Sequence, residues 1–276
     1  MNDIIGPIGV FDSGFGGLSV LQKLTESMPE YDFCYLGDNA RAPYGTRSFS
    51  TVYKYTKESV FWLFSRNCPL VIIACNTASA KALRTIQQND LPFIAPQKRV
   101  LGVIRPLTEI AGNLSVNKHV GLLATPGTVR SSSYSIEIKK FFPELHLTQE
   151  SCQLWVPLVE NMEIDNPGTA WFVKHHIDRL FTADPDIDTL ILGCTHYPFL
   201  FSHIKKCVPE HVKIVSQGSI VADSLKHYLL RHPEIEIKCC KNGKREFFTT
   251  ESPEFFNDKA SFFFGAAVDA QQIAIS

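Results

Sequence analysis

The feature that most constrains this chain is a short apolar run that occurs twice and ends each time at a cysteine. One copy is Leu70-Val-Ile-Ile-Ala-Cys-Asn-Thr, the other Thr189-Leu-Ile-Leu-Gly-Cys-Thr-His. An uninterrupted apolar run of this length suits a parallel strand buried on both faces. Small or polar residues follow each cysteine, and then a segment able to form a helix. Strands that alternate with helices in this way build an α/β protein. The residue just past such a strand stands at the carboxyl edge of the sheet, where these folds bind ligands. A cysteine there lies near a helix amino-terminus, whose dipole favours the thiolate. Cys75 and Cys194, in matching settings, therefore predict one site made by two related halves, with a thiol on each side.

The rest of the chain fits a repeat. Ile8–Phe11 reads as a strand that ends in the turn Asp12-Ser-Gly-Phe-Gly-Gly, and Val120–Ala124 as a strand that ends in Thr125-Pro-Gly-Thr. Further strands are expected at Tyr31–Leu36, Val100–Ile104, Leu145–Gln149 and Val212–Ser216, with Arg105-Pro106 closing the second of these. Helices are expected over 18–28, 50–66, 78–88, 129–141, 171–181, 198–207 and 219–230. In the tail, Asn242-Gly243 predicts a hairpin turn between antiparallel strands within 234–250. A closing helix is expected over 254–275. The fold class is thus α/β, with two similar domains of mostly parallel sheets related by pseudo-symmetry and an active site in the cleft between them. The first domain would comprise 1–97 and 208–276, the second 98–207.

Composition narrows the function. A formal net charge of -1 lacks the basic surplus of a nucleic-acid protein. No apolar run approaches the length of a membrane span. Met1-Asn-Asp-Ile-Ile-Gly-Pro has no basic n-region and is read as lacking a signal peptide. The eight cysteines include no Cys-x-x-Cys pair, so zinc-ribbon and thioredoxin-like readings have no support. Reduced thiols in a cytoplasmic chain are the expectation.

Each motif admits a bland reading beside a functional one. The turn at Asp12 and Ser13 can cradle an anion on its N–H groups or be a tight capped turn, and its spacing is not that of a dinucleotide fingerprint. Pro43-Tyr-Gly45 is first a turn, on which Tyr44 can contact a ligand. Asn76 and Thr77 can hold a carboxylate beside the Cys75 thiol, or cap the helix that follows. The hydroxyls of Thr125 and Thr128 suit a second anion or a plain cap. His196, two residues past Cys194, can share protons with it or be a satisfied core histidine, and the ligands a zinc ion would further need are not evident. Glu160 follows the apolar stretch Leu154-Trp-Val-Pro-Leu-Val and is either within reach of the cleft or a solvated charge.

Taken together, Phe11-Asp-Ser-Gly-Phe-Gly-Gly, Tyr35-Leu-Gly-Asp-Asn, Pro43-Tyr-Gly, Ala74-Cys-Asn-Thr-Ala-Ser, Thr125-Pro-Gly-Thr and Gly193-Cys-Thr-His-Tyr-Pro resemble the glutamate racemases of the cofactor-independent aspartate/glutamate racemase family. The resemblance runs through nearly the whole chain in the family's order. It implies interconversion of L- and D-glutamate in the cytoplasm, supplying D-glutamate for peptidoglycan. No cofactor, metal, nucleic acid or membrane is implied, and a homodimer is compatible with it. It implies Cys75 and Cys194 as the two acid/base thiols, with Asp12 assisting Cys75 and with His196 and Glu160 assisting Cys194. It implies substrate binding by Ser13, Pro43, Tyr44, Gly45, Asn76, Thr77, Thr128 and Thr195. The alternative is a related racemase or isomerase of another small acid such as aspartate. Two residues depart from the family's pattern: Arg105, where an acidic residue is expected before the proline, and Gln153, where proline is expected after Cys152. Neither is expected to touch the chemistry.

Overall fold

The structure is a computed structural model that describes residues 5–275; Ser276 and Met1–Ile4, on which the reading of the amino-terminus partly rests, lie outside the described residues. The strands in chain order are β1 (Ile8–Asp12), β2 (Phe33–Gly37), β3 (Leu70–Ile73), β4 (Arg99–Gly102), β5 (His119–Ala124), β6 (His146–Ser151), β7 (Thr189–Gly193), β8 (Lys213–Val215), β9 (Arg245–Thr249) and β10 (Ala270–Gln272). They form two sheets, ordered β10-β9-β2-β1-β3-β4 and β6-β5-β7-β8, and every strand pair is parallel.

The repeat seen in the sequence is a repeat of topology. In each half the first four strands lie in the spatial order second, first, third, fourth. The chain therefore winds one way from the first strand and the other way from the third. The carboxyl ends of the first and third strands flank the crevice this leaves. Ser13 and Cys75 follow those strands in one sheet, Thr125 and Cys194 in the other.

The two founding strands behave as their composition requires. All four residues of β3 and all five of β7 are buried, because helices cover both faces. Each large apolar side chain buried there contributes about 1.5–3 kcal/mol relative to exposure. Among the described residues no helix is long and apolar enough to cross a membrane.

Several expectations need correction. The hairpin in 234–250 does not form. Residues Pro233–Glu236 make a helical turn instead, and β9 joins β2 in parallel. Asn242-Gly243 does turn, with Gly243 at φ 69°, but its partner is Asp32, which accepts the N–H groups of Asn242 and Lys244 and the Asn242 carboxamide. The closing helix stops at Phe264, where Gly265 at φ 79° ends it, and the chain returns as β10. Arg105 and Pro106 do not follow β4 as a simple stop; they lie in the helix Ile104–Thr108.

The helix expected over 78–88 starts earlier, at Asn76, and gives way after Lys81 to short turns and a wide π turn over Ile86–Asp90. Pro92 follows at once and supplies no N–H to the preceding turn. The helix expected over 129–141 is two helices, Pro126–Ser131 and Ser133–Phe141, with Ser132 between them at φ 56°. The Ser131 hydroxyl donates to the Thr128 carbonyl and accepts the Ser133 N–H, which competes with a continuous helix. The chain changes sheet between Gly102 and His119 and again after Val215, whereas the divisions read from sequence, at 97/98 and 207/208, stand before β4 and β8.

Candidate active site

The carboxyl ends of both sheets face one another across a small cavity of about 50 Å³. Cys75 and Cys194 both line it, as do all the residues singled out in the sequence except Asp12 and Thr128. On the first side, Cys75 is the cap of helix Asn76–Lys81, and its Sγ accepts the Ala78 N–H at 3.4 Å. The Ser13 hydroxyl lies 3.3 Å from the same sulfur. Burial, and next the nearby Asp12 carboxylate, push the Cys75 thiol up to about 12, against the Ser13 and Ala78 hydrogen bonds. Asp12 is fully buried at the end of β1, its Oδ1 accepting the Gly14 N–H at 2.9 Å. Burial pushes the Asp12 carboxyl up to about 6, against the opposing charge of His196 and the N–H groups of Gly14 and Gly17. This side therefore holds a protonated thiol beside a carboxyl poised to take or return a proton near neutral pH.

The second side is built differently. Cys194 Sγ lies 3.7 Å from Nδ1 of His196, and His196 Nε2 lies 2.9 Å from Oε1 of Glu160. Burial opposes charge on His196, but the hydrogen bonds to Cys194 and Glu160 outweigh it and hold the imidazole well above its usual range. Cys194, His196 and Glu160 thus form a hydrogen-bonded chain in which the imidazole favours its charged form. Glu160 ends the helix Trp155–Glu160, and the Lys259 ammonium donates to its carbonyl oxygen at 2.8 Å.

The glycine-rich turn has a purpose other than cradling an anion. A Cβ on Gly16 would lie 2.3 Å from Thr195 Oγ1 and 2.5 Å from His196 Nδ1. A Cβ on Gly14 would lie 2.3 Å from Glu160 Oε1. The glycines are where the first half's backbone passes against the second half's His196 and Glu160, and any side chain there would push that pair away. The Ser19 hydroxyl, which donates to the Gly16 carbonyl at 2.7 Å, also lies 3.2 Å from the Thr195 carbonyl.

Threonines and amides join the halves on the other flank. Thr77 and Thr125 hydroxyls lie 2.8 Å apart, and Thr128 stands behind them, 3.1 Å from Thr125. Thr128 is fully buried and does not line the cavity, whereas Thr125 of the same motif does. The Asn76 carboxamide is occupied by Gln217 in both directions at 2.7 Å and by the Tyr134 hydroxyl at 2.8 Å. What Asn76 offers a ligand is thus chiefly its backbone. Tyr44 donates to Asp38, which also pairs with Arg41 at 2.7 Å, so the loop that carries Pro43 and Gly45 is tied to the first sheet. The Gly45 carbonyl accepts the Gly127 N–H at 2.8 Å across the cleft.

This geometry agrees with what the chain is similar to. The model of the Asp/Glu/Hydantoin racemase family matches residues 8–225. A glutamate racemase of Sulfurihydrogenibium is 39% identical over 271 residues, covering 98% of each chain. The chain belongs to the Asp/Glu/Hydantoin racemase family. Solved structures agree: a glutamate racemase isoform of Bacillus anthracis superposes with a TM-score of 0.88 at 32% identity, covering 98% of each chain. A glutamate racemase of Francisella tularensis in complex with D-glutamate gives 0.87 at 31% identity, again covering 98% of each.

Seen as a racemase of this family, the chain carries site residues that its sequence did not disclose. Gln153, expected to stand clear of the chemistry, lines the cavity together with Val156 and Pro157. Gln217 and Tyr134 orient Asn76 without lining the cavity themselves. No local signal marks them, because each depends on a contact distant in sequence. A larger groove of about 720 Å³ runs along the outer side of helix Asn76–Lys81, but it contains neither thiol and none of their proton-handling partners. The two thiols, His196 and Glu160 converge instead on the smaller cavity.

Proposed function

We propose that this chain interconverts L- and D-glutamate by moving the α-proton between two thiols, Cys75 and Cys194. The observation that carries the reading is that both sulfurs line one cavity, each with its own proton-handling partner drawn from a different part of the fold. Racemisation removes the α-proton from one face and delivers one to the other, which asks for a group on each side. The substrate ammonium, brought beside the thiols, favours thiolate by charge proximity. N–H groups at the starts of the helices after β3 and β5, with the hydroxyls of Ser13, Thr77, Thr125 and Thr195, would hold the α-carboxylate. They would also stabilise charge as it becomes enediolate-like. Asp12 accepts and returns the Cys75 proton, while His196, steadied by Glu160, serves Cys194. Pro43, Tyr44 and Gly45 form the wall over the substrate, with Thr128 supporting Thr77 and Thr125 from behind. The product D-glutamate would serve peptidoglycan synthesis in the cytoplasm.

Circular dichroism with each glutamate enantiomer tests the substrate. Purified protein with no added cofactor is expected to bring either enantiomer to the racemic mixture and to leave aspartate nearly unturned. Equal or faster turnover of aspartate would overturn the glutamate assignment. A requirement for added pyridoxal phosphate or metal would overturn the two-thiol chemistry.

A further inference from the structure

At the opposite edge of the second sheet lies a cluster that the racemase chemistry does not use. His119 opens β5 and His146 opens β6, and the two are register partners, with ring centroids 5.0 Å apart. Asp184, which follows the helix Pro167–Ala183, reaches between them and is buried. His119 Nδ1 lies 3.0 and 3.1 Å from its two oxygens, and His146 Nδ1 lies 3.0 Å from Oδ2. The Thr148 hydroxyl donates to Oδ2 at 3.0 Å and the Asp186 N–H to Oδ1 at 3.1 Å. Among the described residues this is the only group of three such side chains whose ligand atoms all lie within 4.8 Å of one another.

We infer that His119, His146 and Asp184 form a binding site for a divalent transition-metal ion of the zinc class. Two imidazole nitrogens and one carboxylate suit such ions. Zinc bonds of about 2.0–2.2 Å set neighbouring ligand atoms about 3.3–3.5 Å apart in a tetrahedron. The present nitrogen–oxygen separations therefore need to open by only a few tenths of an ångström. Thr148 and Asp186 already fix the carboxylate from outside the ligand set, as metal sites require. The His146 side chain is 62% exposed and that of His119 31%, so water can complete the coordination and the ion can exchange. On binding, each imidazole must turn an unprotonated Nδ1 to the ion, so the proton now shared with Asp184 moves to Nε2 or to solvent. The ion would clip together β5, β6 and the segment leading into β7, in the half of the protein that carries Cys194.

The test is titration of metal-stripped protein with cobalt(II) and zinc(II), read by absorption and calorimetry. Wild type is expected to take up one ion at this site, with visible cobalt bands that carry no thiolate charge-transfer absorption. The same ion should raise the thermal midpoint. His146→Ala and His119→Ala should weaken uptake by more than about tenfold and lose the thermal shift. Glutamate racemisation and metal-free stability should stay near wild type. Asp184→Asn should lose the ion as well; because that residue is buried, the exposed His146 variant keeps the test independent of folding. Three results would overturn the proposal: no uptake at millimolar ion, uptake unchanged in the histidine variants, or cobalt bound only through thiolate.

Discussion

Replacing either Cys75 or Cys194 with alanine is expected to lower racemisation in both directions by about 10²–10⁴-fold, the range that positioned acid–base groups supply. Each direction uses one sulfur as base and the other as acid, so losing either removes an essential half of both reactions. The neighbours offer no substitute. The Ser13 hydroxyl beside Cys75 is a far weaker acid than a thiol, and His196 stands behind Cys194 rather than in its place. Fold stability should suffer little, since each thiol borders the cavity and its loss lets water enter rather than emptying a sealed core. The two variants should still differ. A protein that keeps one thiol can exchange the α-hydrogen of the enantiomer whose face that thiol addresses. Proton NMR in deuterated water should show exchange of one enantiomer with Cys75→Ala and of the other with Cys194→Ala. Near-wild-type racemisation by either variant would defeat the assignment.

The second large effect concerns the groups behind the thiols. His196→Asn should lower kcat by roughly 10²-fold in at least one direction, because it removes the proton store of Cys194 and leaves Glu160 without its partner. Asp12→Asn should act on the Cys75 side. The ratio of kcat/KM between directions is fixed by the equilibrium, so the asymmetry must appear in separate kcat and KM values. The pH profile gives the sign independently. Asp12 accepts a proton only as carboxylate, and its carboxyl is pushed up to about 6. Activity should therefore fall as pH drops through about 6 in wild type, and that limb should be lost or moved in Asp12→Asn. His196 is held charged well above its usual range, so its donor role should persist through neutral pH. Wild-type constants and an unchanged pH profile in both folded variants would make these residues bystanders.

The legible parts of this protein were those that local chemistry dictates. β3 and β7 announce themselves because burial on both faces demands continuous apolar runs. β9 and the edge strand β10 do not, β9 being set by its parallel pairing with β2 and β10 by its pairing with β9 rather than by a pattern of their own. Asn242-Gly243 looked like a hairpin turn because its true partner, Asp32, lies far away in sequence. The site divides in the same way. Cys75, Cys194 and His196 stand out because few residue types can do proton chemistry just past a strand end, whereas a proton role for Asp12 comes only from the family resemblance. Gln153 and Gln217 do not stand out, since a glutamine carries no such signature and only the packing brings it in. The glycine-rich turn admits an anion cradle or a tight capped turn from its sequence, and neither reading contains the close approach of Gly14 and Gly16 to Glu160, Thr195 and His196 of the other half.

The central claim is that two different thiols handle the departing and arriving protons. It is tested most directly by following the first turnovers of one glutamate enantiomer in deuterated water. The delivering thiol has exchanged with solvent before the substrate binds, so the new enantiomer should carry deuterium from its first appearance. The unconverted substrate should keep its hydrogen over the same interval. Mass spectrometry of the separated enantiomers gives both values. New enantiomer that carries the original hydrogen in a large share of early turnovers would mean one base swinging between faces, and would contradict the account.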